Sequence, residues 1–376
     1  MRAAEVTGRR LKRLRAEGVS VWLRGGRHDD VATGELERLV TEWDLSGLTV
    51  TVEDMVEQVD SPGHVRGLTA RGQGGAGHRE ATRRAAAAVT RQACDVFLPS
   101  YETSRGRTGL VSVDLPPART RRQLYDEAVA AWEAVDRPNL LLKVPAGPTT
   151  LETVSALVSR GVGVDVVPVF STDRYEQVFT ALCTGFERAR TTRRGLRDIN
   201  TAVSVPLAPI DAWVDAHLRE QGLAASRYPM GEAARAHARL VHHLHEQKLS
   251  HQWWQSLAAD GADPPHLIWT GIEAGAADDG HAPCADHLVA WGVVHALHES
   301  ALPSITESAV LVGDALSGRH ITAHQDVEAL YAFGLSYSTL ADELEQEWLA
   351  RHTAHWREFW RRSEELLGRS APPREP

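Results

Sequence analysis

The sequence predicts an α/β chain closed as a (β/α)8 barrel, on three observations. Eight short apolar runs of strand length recur along the 376 residues, stretches of helical length separate them, and no Pro/Gly/Ser-rich linker divides the chain into two composition classes. Short apolar runs fit an open parallel sheet as well as a closed one, and the count of eight is what favours closure. The length is enough for one large core.

In chain order, the runs are 18–23 (GVSVWL), 46–52 (SGLTVTV), 109–115 (GLVSVDL), 138–144 (PNLLLKV), 162–170 (VGVDVVPVF), 200–207 (NTAVSVPL), 265–271 (PHLIWTG) and 292–297 (GVVHAL). Helical patterns occupy 118–135, 149–160, 171–190 and 211–260. The Gly-, Ser- and Pro-bearing stretch 61–78 reads as a loop. A long amphipathic pattern over 338–368 places Leu344 and Trp348 four apart, and Trp356 and Trp360 likewise, with Phe359 beside them. It is expected to pack on the outside of the barrel or on a partner subunit, which leaves a homodimer open. One domain is expected over 1–368. The polar, Pro-rich 369–376 is read as a disordered tail.

Composition excludes several classes. With 41 Lys plus Arg against 50 Asp plus Glu, the net charge is -9, which disfavours nucleic acid or an anionic membrane as partner. No apolar stretch reaches the roughly 20 residues of a membrane span, and the basic N-terminus lacks the apolar run of a signal peptide. Cys94, Cys183 and Cys284 are odd in number and far apart, so neither a disulfide framework nor a thiolate zinc site is expected, and the chain reads as cytoplasmic. Gly72, Gly74 and Gly77 spell GxGxxG, but no buried strand precedes them, so a flexible loop explains them better than a nucleotide. His28, Asp29 and Asp30 follow a strand end and read equally as helix-capping residues. The run His242, His243, His245, Glu246 and His251 is not HExxH, since Leu249 takes the place of the second histidine. A solvated helix face accounts for it, and no metal or cofactor is expected.

The chemistry concentrates on three adjacent strands. Lysine is rare, occurring only at 12, 143 and 248, yet Lys143 ends an otherwise apolar run. Burying an ammonium is costly, and the usual reliefs are neutralisation or a neighbouring carboxylate. A neutral lysine amine is the nucleophile that forms a Schiff base with a carbonyl. Asp165 interrupts the next run, and Lys143 is the natural cation for it. Asp114 repeats the pattern one strand earlier. At the C-terminal rim of a barrel, such residues read as catalytic, and a structural ion-pair cluster is the alternative.

Around these residues the chain resembles the transaldolases of the long actinobacterial type. Asp136-Arg137-Pro138-Asn139-Leu140 through Lys143-Val144-Pro145-Ala146 is similar to the family's DRPNLMIKIPAT strand, whose lysine forms the Schiff base. Gly18 to Leu23, Phe170 to Tyr175 and Gly334 to Tyr337 also resemble family segments, and the likeness runs in order over nearly the whole chain. It implies a class I aldolase barrel with Lys143 as the iminium residue. The departures are as informative. Where the family has a proton-transferring aspartate after the first strand stands Arg24, and its TTNP becomes Thr49-Val50-Thr51-Val52. The water-orienting glutamate is shortened to Asp114, the fifth-strand asparagine becomes Asp165, and the catalytic threonine becomes Val167. The phosphate-binding arginine is Pro209, and the family's STGVK reads Thr270-Gly271-Ile272-Glu273. Exchanging two phosphate cations for a proline and an acid removes charge-assisted bonds and adds repulsion.

The expectation is therefore an enzyme acting on a small-molecule carbonyl substrate without a phosphate, by aldol, retro-aldol or related condensation, with ordinary transaldolase activity lost. Lys143, Asp165 and Asp114 would be catalytic, and Arg24, Thr51, Ser204, Thr270 and Glu273 would bind substrate. An inactive binding or scaffold barrel and a weak residual transaldolase are the alternatives.

Overall fold

The computed structural model describes residues 11–25, 33–65, 68, 77–221, 231–272, 285–302 and 313–370. Eight parallel strands close on themselves in sequence order: β1 (Ser20–Arg24), β2 (Gly47–Val50), β3 (Leu110–Asp114), β4 (Leu140–Pro145), β5 (Val164–Val167), β6 (Thr201–Pro206), β7 (His266–Thr270) and β8 (Val293–His298). Each falls within, or within one residue of, the apolar run that announced it. β5 is the shortest relative to its run, because Pro168 has no N–H to continue the ladder.

The connecting helices are α1 (Glu35–Trp43), α2 (Val52–Glu57), α3 (His78–Ser104), α4 (Arg121–Val135), α5 (Leu151–Arg160), α6 (Thr172–Thr191) and α7 (Ala208–Glu220). There follow α8 (Ala233–Ser250), α9 (Gln252–Ala259), α10 (His320–Tyr331) and α11 (Tyr337–Ser370). The single helical stretch expected over 211–260 is thus divided. Gly231 takes a positive φ of 78°, and His251 is extended between α8 and α9, its side chain accepting the Trp253 amide. α4 stops at Asp136 in the left-handed conformation (φ 51°), just before Pro138 would end it anyway. Gly77 caps the start of α3, and Gly72 and Gly74 lie outside the described residues.

Strand side chains alternate between two apolar environments. Outward residues join the helices in the main core, while Trp22, Leu110, Leu141, Ala202, Ile268, Val294 and Ala296 fill the barrel interior. Gly47 makes room for this filling, since a Cβ there would meet the Trp22 indole at 2.5 Å. Above the apolar layers, toward the strand C-termini, the interior turns polar.

α11 corrects an expectation. It does not lie on the barrel flank alone but packs against α2, α3 and α7, and its middle turns form one wall of the barrel mouth. Arg174 of α6 holds it through a two-pronged pair with Glu345 (2.8 and 2.9 Å), both side chains largely buried. Trp356 and Phe359 bury themselves against Val52 and Val59. The helix runs to Ser370, past the 368 boundary drawn from composition. Among the described residues, no helix is long and apolar enough to cross a membrane.

Candidate active site

Inward side chains at the strand C-termini and the turns of α11 enclose a cavity of about 260 Å3. Lys143 lies on its wall, as do Arg24, Thr51, Asp114, Ser204 and Thr270, so six of the eight candidate residues converge there. Glu273 lies outside the described residues, as do His28, Asp29 and Asp30. A second cavity, also about 260 Å3, sits outside the barrel between α3, α4 and α11. No lysine, histidine or cysteine lines it, so the chemistry belongs to the barrel mouth.

Parallel pairing sets Asp114 beside Lys143, and Lys143 beside Asp165. Lys143 is 5% exposed, yet its Nζ makes no ion pair among the described residues. It donates instead to Thr49 Oγ1 (2.7 Å), Val50 O (3.0 Å) and Ser112 O (3.2 Å). The expected Lys143–Asp165 pair is thus replaced by hydrogen bonds to neutral oxygens. Asp165, fully buried, accepts from Ser112 Oγ (2.7 Å) and from Ser204 Oγ (2.8 and 3.0 Å). Burial pushes its carboxyl above the ordinary value, against the pull of Lys143 and the two serines. Asp165 lies beneath the cavity and does not line it, so it reaches the site through Ser112, Ser204 and the field at Lys143.

The other candidates divide similarly. Asp114 does line the cavity, and its Oδ2 accepts the Val52 amide (2.8 Å) at the start of α2. Thr51 is on the wall, but its hydroxyl is spent on a capping box with Asp54 (2.7 and 3.3 Å). Arg24 is neutralised in place, with Nη2 3.1 Å from Glu53 and Nε 3.7 Å from Asp54. It is therefore poorly disposed to take a substrate carboxylate. Val167 presents only methyl groups.

The first turn of α7 has its amides engaged. A helix N-terminus binds phosphate through free amides in its first turn. Here Leu207 N donates to Thr270 O (2.9 Å), Ala208 N to Gly271 O (3.1 Å) and Ile210 N to Leu207 O (3.0 Å), while Pro209 has no N–H at all. Asp211 adds a buried carboxyl to the same turn, raised to about 7 mainly by burial.

Several wall residues escaped sequence reasoning. Thr49 holds Lys143, with the Ser112 carbonyl below the wall, and α11 contributes Trp348, Arg351, His352 and His355. His352 stands four residues from both Trp348 and Trp356. The spacing that marked the apolar face therefore carried the signal for His352 as well. The histidine run of α8 needs a correction too. His242 and His245 are buried, His243 is half-buried, and Glu246 and His251 are exposed, so a solvated face describes only part of it. Among the described residues, no group of His, Cys, Asp and Glu is arranged to hold a metal ion.

Comparison with known proteins agrees with this geometry. Residues 54–272 match the family described as Transaldolase/Fructose-6-phosphate aldolase. A transaldolase of Acidothermus cellulolyticus is 32% identical, over 93% of this chain and 94% of its own. One of Thermobifida fusca is 31% identical, over 97% and 98%, and one of a Parafrankia species 30%, over 96% and 99%. The family match over more than half of the chain, together with relatives at 30–32% identity over nearly its full length, settles the kinship: the chain belongs to the transaldolase/fructose-6-phosphate aldolase family.

Proposed function

We propose that this chain is an aldolase-type enzyme that forms an iminium on Lys143 with an unphosphorylated carbonyl substrate and has lost ordinary transaldolase turnover. The observation that carries the reading is the first turn of α7. Its amides are consumed internally, its second residue is Pro209, and its carboxyl is Asp211, so nothing there welcomes a phosphate. Lys143 remains, sheltered and positioned, on the wall of a cavity large enough for a short-chain ketone or aldehyde. Iminium formation needs the Nζ lone pair free for the carbonyl carbon, and Thr49 Oγ1 at 2.7 Å orients that nitrogen. Asp114 is the carboxylate on the wall beside it. Aldol or retro-aldol cleavage then uses the iminium as electron sink.

A second reading has an observation of its own. Three fixed acceptors surround Nζ, as many as an ammonium has N–H groups, which suits a structural charge in a binding or scaffold barrel.

Turnover separates the family activity from the proposed one. Fructose 6-phosphate and erythrose 4-phosphate should not be interconverted at a useful rate. A rate within about tenfold of a transaldolase assayed alongside, roughly 1.4 kcal/mol in barrier, would contradict the proposal.

A further inference from the structure

Two positions where the resembling family has chemistry are disarmed here, since Arg24 is locked to Glu53 and Asp54 and Val167 is apolar. Asp165 lies below the cavity, and Asp114, on the wall, has its Oδ2 engaged by the Val52 amide. An enamine cannot form on an iminium unless some group removes the α-proton. Among the residues on the cavity wall, His352 of α11 has the surroundings for that work.

Its ring is held between two indoles. Trp348 lies parallel to it (centroids 4.8 Å apart, planes at 12°), and Trp356 stands edge-on (6.4 Å, 74°). The Trp356 indole N–H, which can only donate, points at His352 Nε2 from 3.1 Å. That assigns the lone pair to Nε2 and the proton to Nδ1. The same Nε2 is 3.7 Å from Asp114 Oδ2, and His352 is 6% exposed. Nδ1 is buried and has no hydrogen-bond partner among the described residues, while His352 itself lines the cavity.

We propose that His352 is the acid–base residue of this site, taking and returning the α-proton of a carbonyl substrate held on Lys143, with Asp114 as its counter-charge. The inference rests on the iminium reading above. Condensation forms a C=N bond and releases the carbonyl oxygen as water. His352 Nε2 then takes the α-proton. The C–H electron pair becomes the C=C bond of the enamine, and the C=N π pair returns to Nζ. The imidazolium exchanges a neutral bond from Trp356 for an ion pair with Asp114. Return of that proton to carbon reverses the step.

Burial holds His352 below its ordinary 6.5, so the base is present at neutral pH. The groups that bear on it are Asp114 from β3, Lys143 from β4 and His355 from its own helix, while Glu53 and Asp54 of α2 are turned to Arg24.

The test uses dihydroxyacetone in deuterated water, with two readouts: exchange of its carbon-bound hydrogens by NMR, and the borohydride adduct by peptide mass. The wild type should give both. His352→Gln should form the adduct at wild-type yield while exchange slows about 100-fold. Wild-type exchange should also fall in acid as the imidazole is protonated, a limb absent from His352→Gln. Trp356→Phe, which frees Nε2 of its donor but keeps an aromatic ring, should move that limb to higher pH, and serves if the glutamine variant does not fold. An adduct with equal exchange in wild type and His352→Gln overturns this inference alone, as does an adduct without exchange in the wild type. No adduct at all overturns the iminium reading and this inference together.

Discussion

Among single residues, Asp165 is the one whose sequence reading and structural position differ most. It stands beside Lys143 in the strand register, which is what the pattern implied, but its oxygens are taken by two serine hydroxyls rather than by the ammonium. The difference is geometric. Side-chain alternation tells which residues share the barrel interior, but not which of the available donors lies closest. Asp165→Asn keeps the shape and can still accept from one serine, so it should cost under about 1 kcal/mol and leave adduct formation at Lys143 intact. Asp165→Ala removes the acceptor of both hydroxyls and opens a cavity, and should cost about 2–5 kcal/mol in a urea titration. Loss of the adduct in Asp165→Asn at unchanged stability would instead give the carboxylate a part in the chemistry.

At the level of elements, the eight strands were legible because each is a short apolar run bounded by breakers, and a buried parallel strand has little other way to be written. Helices with one job were legible as well, α4, α5 and α6 matching their patterns closely. Legibility failed where one pattern served two purposes. The stretch 211–260 keeps its helical period across two breaks, which only Gly231 and the extended His251 reveal. In α11 the apolar face was plain, but the sequence does not say that this face covers the barrel mouth rather than its flank. Most charged and polar residues of the mouth that sit on strands were therefore found, Thr49 excepted, and those on α11 were missed. The α7 terminus lies between these cases. Pro209 was visible in the sequence, while the capture of the neighbouring amides by Thr270 and Gly271 carbonyls appears only in three dimensions.

For the molecule as a whole, buried histidines set the acid side of its stability. Burial lowers His64, His237, His266 and His295 from 6.5 to about 4, and His245 to about 3. Below 6.5 the unfolded chain binds these protons and the folded chain refuses them. The stability these histidines contribute is thus present above pH 6.5 and is lost as pH falls through about 4. Asp211, raised to about 7, and Asp165, also raised, work oppositely, since the folded chain keeps their protons. Their contribution is present at low pH and lost as pH rises, through about 7 for Asp211. The histidines are the larger group, so stability should fall between about pH 6.5 and pH 4, by about 1.4 kcal/mol per pH unit for each histidine not offset. Urea midpoints across that window check this, and a flat or rising profile toward acid would contradict it.

The central claim is that Lys143 still forms an iminium, and with a carbonyl compound that bears no phosphate. Lys12 is exposed, and Lys248 is tied to Glu176 on the surface, so only Lys143 is both buried and on the cavity wall. The most direct measurement is borohydride reduction of the protein with dihydroxyacetone, mapped by peptide mass against the same reaction with fructose 6-phosphate. Lys143→Met is the control, since it roughly preserves volume and so keeps lost stability from passing as lost chemistry. The account predicts one adduct from dihydroxyacetone, on Lys143, absent from the folded Lys143→Met protein and not enhanced by the phosphorylated sugar. Modification spread over the lysines alike, or a Lys143 adduct formed readily from fructose 6-phosphate and not from dihydroxyacetone, would contradict it.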